Sequence, residues 1–286
     1  MLGKLIKHEW KSTCKMCGII ILVIAGMTLV GVLGFALPAG MEESVDSIED
    51  SVMSVFWGML MAVSMLLYVM TLMGASYAML IYQGVHFYKT MYTDEGYLTQ
   101  TLPVTPRQLL FSKALVAGIW NLLVALSIGL SIVILIGAFI STMAPVGAWR
   151  EVGEVWTEMQ RELVEDQELA RTLGFNMIHF CLSMLLMLTI TPFCTIMTMF
   201  GALTIGQLSG KYKALIGILA YFGVMMAQSI LMQLVSFLGT VVTMATVDGG
   251  INIFTTYDGS ILVSLGMGVV MYFVAHYILT RKLNMD

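Results

Sequence analysis

Apolar and charged positions separate along this chain into long blocks. Six windows contain no Asp, Glu, Lys or Arg: Met16–Met41, Ser51–Tyr88, Ala114–Trp149, Thr172–Gly210, Ala214–Val247 and Gly259–Thr280. Each exceeds the roughly 20 apolar residues that carry a helix across about 30 Å of hydrocarbon. The pattern predicts six transmembrane helices near residues 17–37, 52–82, 114–140, 176–206, 214–243 and 259–280. The fold class is all-α and polytopic, in one transmembrane domain over 1–286.

The segments between the windows predict further elements. Residues 1–16 place Leu2, Leu5, Ile6 and Trp10 on one face, with Lys4, Lys7 and Lys11 near the lipid headgroups. That pattern fits an interfacial helix or ordinary basic flanking sequence. The first apolar stretch has no small-residue cleavage site before Pro38, so it reads as a retained span. Between spans two and three, residues 83–113 end on a helix start. Thr105 can cap, Pro106 takes the first helical position and Gln108 closes a capping box. Asp94 and Glu95 favour the N-terminus of a short preceding helix, which Pro103 ends. The longest hydrophilic stretch, 141–174, repeats Trp149, Val152, Val155, Trp156, Met159 and Leu163 at helical spacing. It predicts an amphipathic outer helix, with Arg150–Glu154 and Arg161–Glu165 as i,i+4 pairs. Pro192 lies inside span four, where it frees a carbonyl one turn back.

Composition agrees. The 286 residues are 58% hydrophobic and 11% charged, with a mean hydropathy of +0.89. Charged residues make up about a quarter of a soluble protein, and so apolar a chain would present water with one large sticky surface. The basic residues set the orientation. With the N-terminus inside, 11 of the 14 Lys and Arg lie on inner segments and 14 of the 18 acids on outer ones. Both termini are therefore expected in the cytoplasm.

The chemistry is sparse. No carboxylate lies within the expected spans, where ion-driven carriers usually keep one; the only histidines there are His179 and His276, both near span ends. There is no G-x-x-x-x-G-K phosphate loop, no H-E-x-x-H and no G-x-S-x-G, so neither nucleotide binding nor catalysis is expected of this chain. Asn121, Thr189, Thr191, Thr195, Gln228 and Gln233 are uncharged polar residues at membrane depth. They either line a substrate path or hydrogen-bond between helices. Met59, Met61, Met65, Met70 and Met73 crowd span two at irregular spacing, which favours apolar packing over Cu(I) binding. Cys14 and Cys17 lack a second pair for zinc, and Cys181 and Cys194 lie too far apart on one helix to bond, so four free thiols and no metal are expected.

Two segments carry a family resemblance. Tyr92-Thr93-Asp94-Glu95-Gly96-Tyr97-Leu98-Thr99-Gln100-Thr101-Leu102-Pro103-Val104-Thr105 resembles the cytoplasmic loop between spans two and three of bacterial ABC-2-type transporter permeases. Leu5-Ile6-Lys7-His8-Glu9-Trp10-Lys11 resembles their K-x-E-[FW]-K opening. The six-span layout with inner termini matches as well. The resemblance implies a type V-like permease fold in the bacterial inner membrane. It implies two permease subunits, identical or homologous, driven by two copies of a separate ATP-binding cassette subunit that holds the ATP and Mg. It gives Thr93, Asp94, Glu95, Gly96, Tyr97 and Leu98 the role of a coupling helix docked on that ATPase, with further contacts from Glu9 and Lys11. The chain departs from members with a large outer domain between spans five and six, since 244–258 is too short for one.

Three functions stay open on these grounds: an ATP-driven exporter's membrane subunit moving peptides, drugs or lipid-like molecules, a secondary carrier or channel, and a non-transporting sensor whose acidic outer segment binds a cationic peptide. Nothing points to nucleic acid as a partner.

Overall fold

The computed structural model describes residues 2–39, 49–93, 105–143, 148–165, 177–209, 211–246 and 253–281. Among them every regular element is an α-helix, and there are seven: α1 Leu2–Ala39, α2 Glu49–Tyr92, α3 Pro106–Met143, α4 Ala148–Glu165, α5 Met177–Gly206, α6 Lys213–Thr246 and α7 Ile253–Arg281. All but α4 are long and apolar enough to cross a bilayer, over Leu2–Gly34, Val55–Tyr92, Pro106–Ser141, Cys181–Gly206, Lys213–Val242 and Asp258–Thr280. The protein is thus a multi-pass membrane protein. The six helices coincide with the six charge-free windows because uncharged sequence is what hydrocarbon tolerates.

Thr105 caps α3 as the sequence implies. The Gln108 N–H donates to Thr105 Oγ1 at 3.4 Å and the Leu109 N–H to the Thr105 carbonyl at 3.2 Å, so α3 begins at Pro106. The helix α4 is strongly amphipathic, and Arg150 Nε donates to Glu154 Oε1 at 3.0 Å on its exposed face. The side chain of Glu165 lies outside the described residues.

The N-terminal segment runs without a break into the first membrane helix, Leu2–Ala39. One face of it meets protein: Leu5 packs on a buried core and Trp10 stacks on Trp120 with ring centroids 4.6 Å apart. Glu9 shares that face, and a carboxylate leaves water readily only when it finds a countercharge.

The chain groups into two compact units. The first comprises Met1–Thr13, Leu80–Leu122 and Gln160–Asp286. Its core holds Phe87, Leu110, Ala117, Ile196, Met199 and Phe200, with Phe87 and Phe200 stacked at 3.9 Å between centroids. Helices α5, α6 and α7 pack closely here through small residues. A Cβ on Gly206 would stand 2.5 Å from the Gly217 Cα, and one on Gly201 would stand 2.8 Å from the Met271 carbonyl oxygen. The second unit comprises Cys14–Met79 and Leu123–Met159. A buried hydroxyl network ties its three membrane helices: Ser131 Oγ lies 2.7 Å from Thr28 Oγ1 and 2.7 Å from Tyr68 Oη, and Thr28 also donates to the Ile24 carbonyl.

The outer surfaces are apolar, as lipid contact requires. Met59, Met65, Met70 and Met73 are exposed on α2, so these thioethers do not fill the core. Among the described residues no group of His, Cys, Asp and Glu could hold a metal ion, and all four cysteines are free.

Candidate functional site

The one acid among the first 41 residues, Glu9, sits in a basic segment of α1. Helical spacing puts it on the face of Ile6, Trp10 and Thr13, opposite the exposed Lys4, Lys7 and Lys11. There it meets two other helices. Lys113 Nζ of α3 donates to Glu9 Oε2 at 3.0 Å, and His86 Nε2 of α2 lies 2.8 Å from Glu9 Oε1. Lys113 also donates to Thr90 Oγ1 at 2.9 Å. The Lys113 side chain is 4% exposed and that of Glu9 12%, so the pair is shielded from water. Both carboxylate oxygens thus have a partner, the condition under which an ion pair tolerates burial.

The neighbours extend this polar centre. Gln83 Nε2 donates to the Ala117 carbonyl at 3.0 Å, joining α2 to α3 a second time. Gln83 Oε1 and Trp120 Nε1 are buried and have no hydrogen-bonding partner among the described residues. Both residues line a cavity of about 10 Å³ with Glu9, Thr13, His86 and Lys113. That is room for one water, which both accepts and donates hydrogen bonds as these two atoms need. The arrangement locks three helices together through charge; nothing in it resembles a nucleophile and its base.

The ends of α2 and α3 are tied down further. Tyr92 Oη lies 2.8 Å from Thr204 Oγ1 of α5. Arg107 Nε, in the first turn of α3, donates to His276 Nε2 of α7 at 2.7 Å.

The expected site residues are distributed as follows. Thr93 closes α2 in a bend and donates to the Lys89 carbonyl; Asp94, Glu95, Gly96, Tyr97 and Leu98 lie outside the described residues. Lys11 is exposed, whereas Glu9 is turned inward. Asn121 Nδ2 donates to the Pro192 carbonyl at 3.4 Å, so this asparagine bonds to the chain at the proline of α5. Gln228 Nε2 donates to Ser264 Oγ at 3.4 Å, from α6 to α7. Thr189 and Thr195 donate to carbonyls one turn back, those of Leu185 and Thr191. Thr191 is half-buried and Gln233 exposed. Of these six residues, Asn121 and Gln228 thus bond between helices, whereas Thr189 and Thr195 bond within their own helix.

Sequence reading missed the Glu9–His86–Lys113 cluster. The available signal was isolation: a single acid amid lysines, a histidine inside a charge-free window, and a lysine just before the next window. Comparison with family models, curated proteins and solved structures gives no match.

Proposed function

We propose that this chain is the membrane subunit of an ATP-driven exporter, moved by a separate nucleotide-binding subunit that docks on residues 93–98. One observation carries the reading: the two helices flanking that segment are cross-braced by Glu9. The helix α2 has 44 residues and α3 has 38, about 66 and 57 Å at 1.5 Å per residue, both well beyond a bilayer core of about 30 Å. Glu9 pairs with both, through His86 and Lys113, and Tyr92 extends the tie to α5. A segment held between two braced stalks passes a push to the helices as rigid-body motion. The motif Asp94-Glu95-Gly96-Tyr97-Leu98, with its likeness to an ABC-2-type coupling loop, supplies the docking element in this reading. The chain itself is not an enzyme here: ATP and Mg belong to the partner, and a second permease copy completes the pathway. The termini and the 93–105 segment face the cytoplasm, the side favoured by the Lys and Arg distribution.

The test is purification from the native membrane. An ATP-binding cassette subunit is expected to copurify, and Asp94→Ala with Tyr97→Ala is expected to release it. A chain that purifies without an ATPase and transports under an imposed ion gradient alone would overturn the reading. That second behaviour defines a proton-linked carrier, a reading favoured by the buried Glu9–His86–Lys113 cluster, since buried ionisable groups in membrane helices serve as proton relays.

A further inference from the structure

Two concave features adjoin on the first unit, and they differ in chemistry. A cleft of about 830 Å³ is lined by Thr105, Pro106, Arg107, His276, Tyr277 and Thr280. A groove of about 430 Å³ is lined by Ile205, Leu208, Phe273, Val274, Tyr277 and Ile278. Tyr277 borders both, so the polar cleft opens beside a groove whose other walls are all apolar. Among the described residues no carboxylate lines either one. The cleft lies beside the first turn of α3 and the last turns of α7, whose apolar stretch ends at Thr280.

The cation in the cleft is oriented. Arg107 Nε is held by His276 Nε2 at 2.7 Å, and the two terminal amino groups of the guanidinium have no partner among the described residues. A guanidinium fixed through Nε presents those groups as a fork that suits two oxygens of a phosphate. Because His276 Nε2 accepts this bond, its own proton lies on Nδ1. The Thr280 hydroxyl is turned to the His276 carbonyl, 2.9 Å away, and so steadies the turn of α7 that carries His276. Basic pockets between membrane helices suit anionic headgroups. Phe273 is 65% exposed beside the groove, a surface that only an acyl chain or more protein would cover without cost.

We propose that the cleft and groove together bind one anionic phospholipid, its phosphate on the Arg107 fork and an acyl chain along Phe273, Val274 and Ile278. The charge of the cleft selects the headgroup, and the contiguity with the groove selects a lipid over a soluble phosphate. The proposal uses none of residues 93–98 and stands whether or not the exporter reading holds.

Native mass spectrometry of the purified, delipidated full chain tests it. Dioleoyl phosphatidylglycerol is expected to be retained as a single adduct at about tenfold lower concentration than dioleoyl phosphatidylcholine, the size of one charge-assisted pair. Arg107→Gln is expected to erase that preference. Val274→Trp, which fills the groove, is expected to weaken retention of both lipids while keeping their order. Arg107→Lys keeps the charge but not the fork, and is expected to lose part of the preference; it carries the test if Arg107→Gln fails to fold. An unchanged preference in the folded Arg107 variants overturns the proposal. So does displacement of phosphatidylglycerol by equimolar glycerol phosphate, which would make the cleft a site for soluble phosphate.

Discussion

Lys113 Nζ lies 3.0 Å from Glu9 Oε2, across 104 residues of sequence and between α3 and the first turns of α1. The pair is shielded from solvent, and each partner has a second hydrogen bond: Glu9 accepts one from His86, and Lys113 donates one to Thr90.

Removing one partner leaves the other charged and buried. Lys113→Met is therefore expected to destabilise the protein by about 3 kcal/mol, and Glu9→Gln by a similar amount. The double variant removes both charges and is expected to recover most of the loss. Thermal melts of detergent-solubilised protein, followed by size-exclusion recovery, check this. Strict additivity of the two losses would show that the charges do not act as a pair.

The glycines separate into two kinds. Gly206→Val is expected to cost about 3 kcal/mol or to prevent folding, because its Cβ would meet the Gly217 backbone. At Gly3 and Gly26 a Cβ would have no neighbour within 4 Å, so Gly3→Ala and Gly26→Ala are expected to stabilise their helix by about 0.5–1 kcal/mol each. The same melting assay ranks them, and a Gly206→Val protein as stable as the parent would refute the close approach of α5 and α6.

In the second unit, Ser131 is the common partner of Thr28 and Tyr68. Ser131→Ala leaves two hydroxyls without it and is expected to cost about 1 kcal/mol, with Tyr68→Phe costing about the same. Once Ser131 is gone, Tyr68→Phe is expected to cost less. A double-mutant cycle without coupling would mean the hydroxyls act independently.

Orientation is open to direct measurement. In a cysteine-free background, Arg150→Cys on the exposed face of α4 is expected to react with an impermeant maleimide in intact cells. Lys4→Cys, exposed on α1, is expected to react only after permeabilisation. The reverse pattern would place the termini outside and remove the cytoplasmic docking surface from the proposed function.

Much of the fold was legible in the chain because hydrocarbon imposes a local rule: a segment without charge and longer than about 20 residues spans. The start of α3 was legible for the same kind of reason, since Thr105, Pro106 and Gln108 act within one turn. The partners of polar residues were not. Asn121 meets Pro192, Gln228 meets Ser264 and Glu9 meets Lys113 only after helices distant in sequence pack together. The same holds for Trp10 of α1, which stacks on Trp120 of α3.

The sequence by itself determined that this is an all-helical, six-span membrane protein, because apolar length and the exclusion of charge are properties of each segment alone. Only the tertiary structure decided that Glu9 faces inward, that Arg107 is oriented by His276, and that Asn121 and Gln228 bond between helices. Those outcomes depend on which faces of distant helices meet, and a buried polar atom takes whatever partner that meeting supplies.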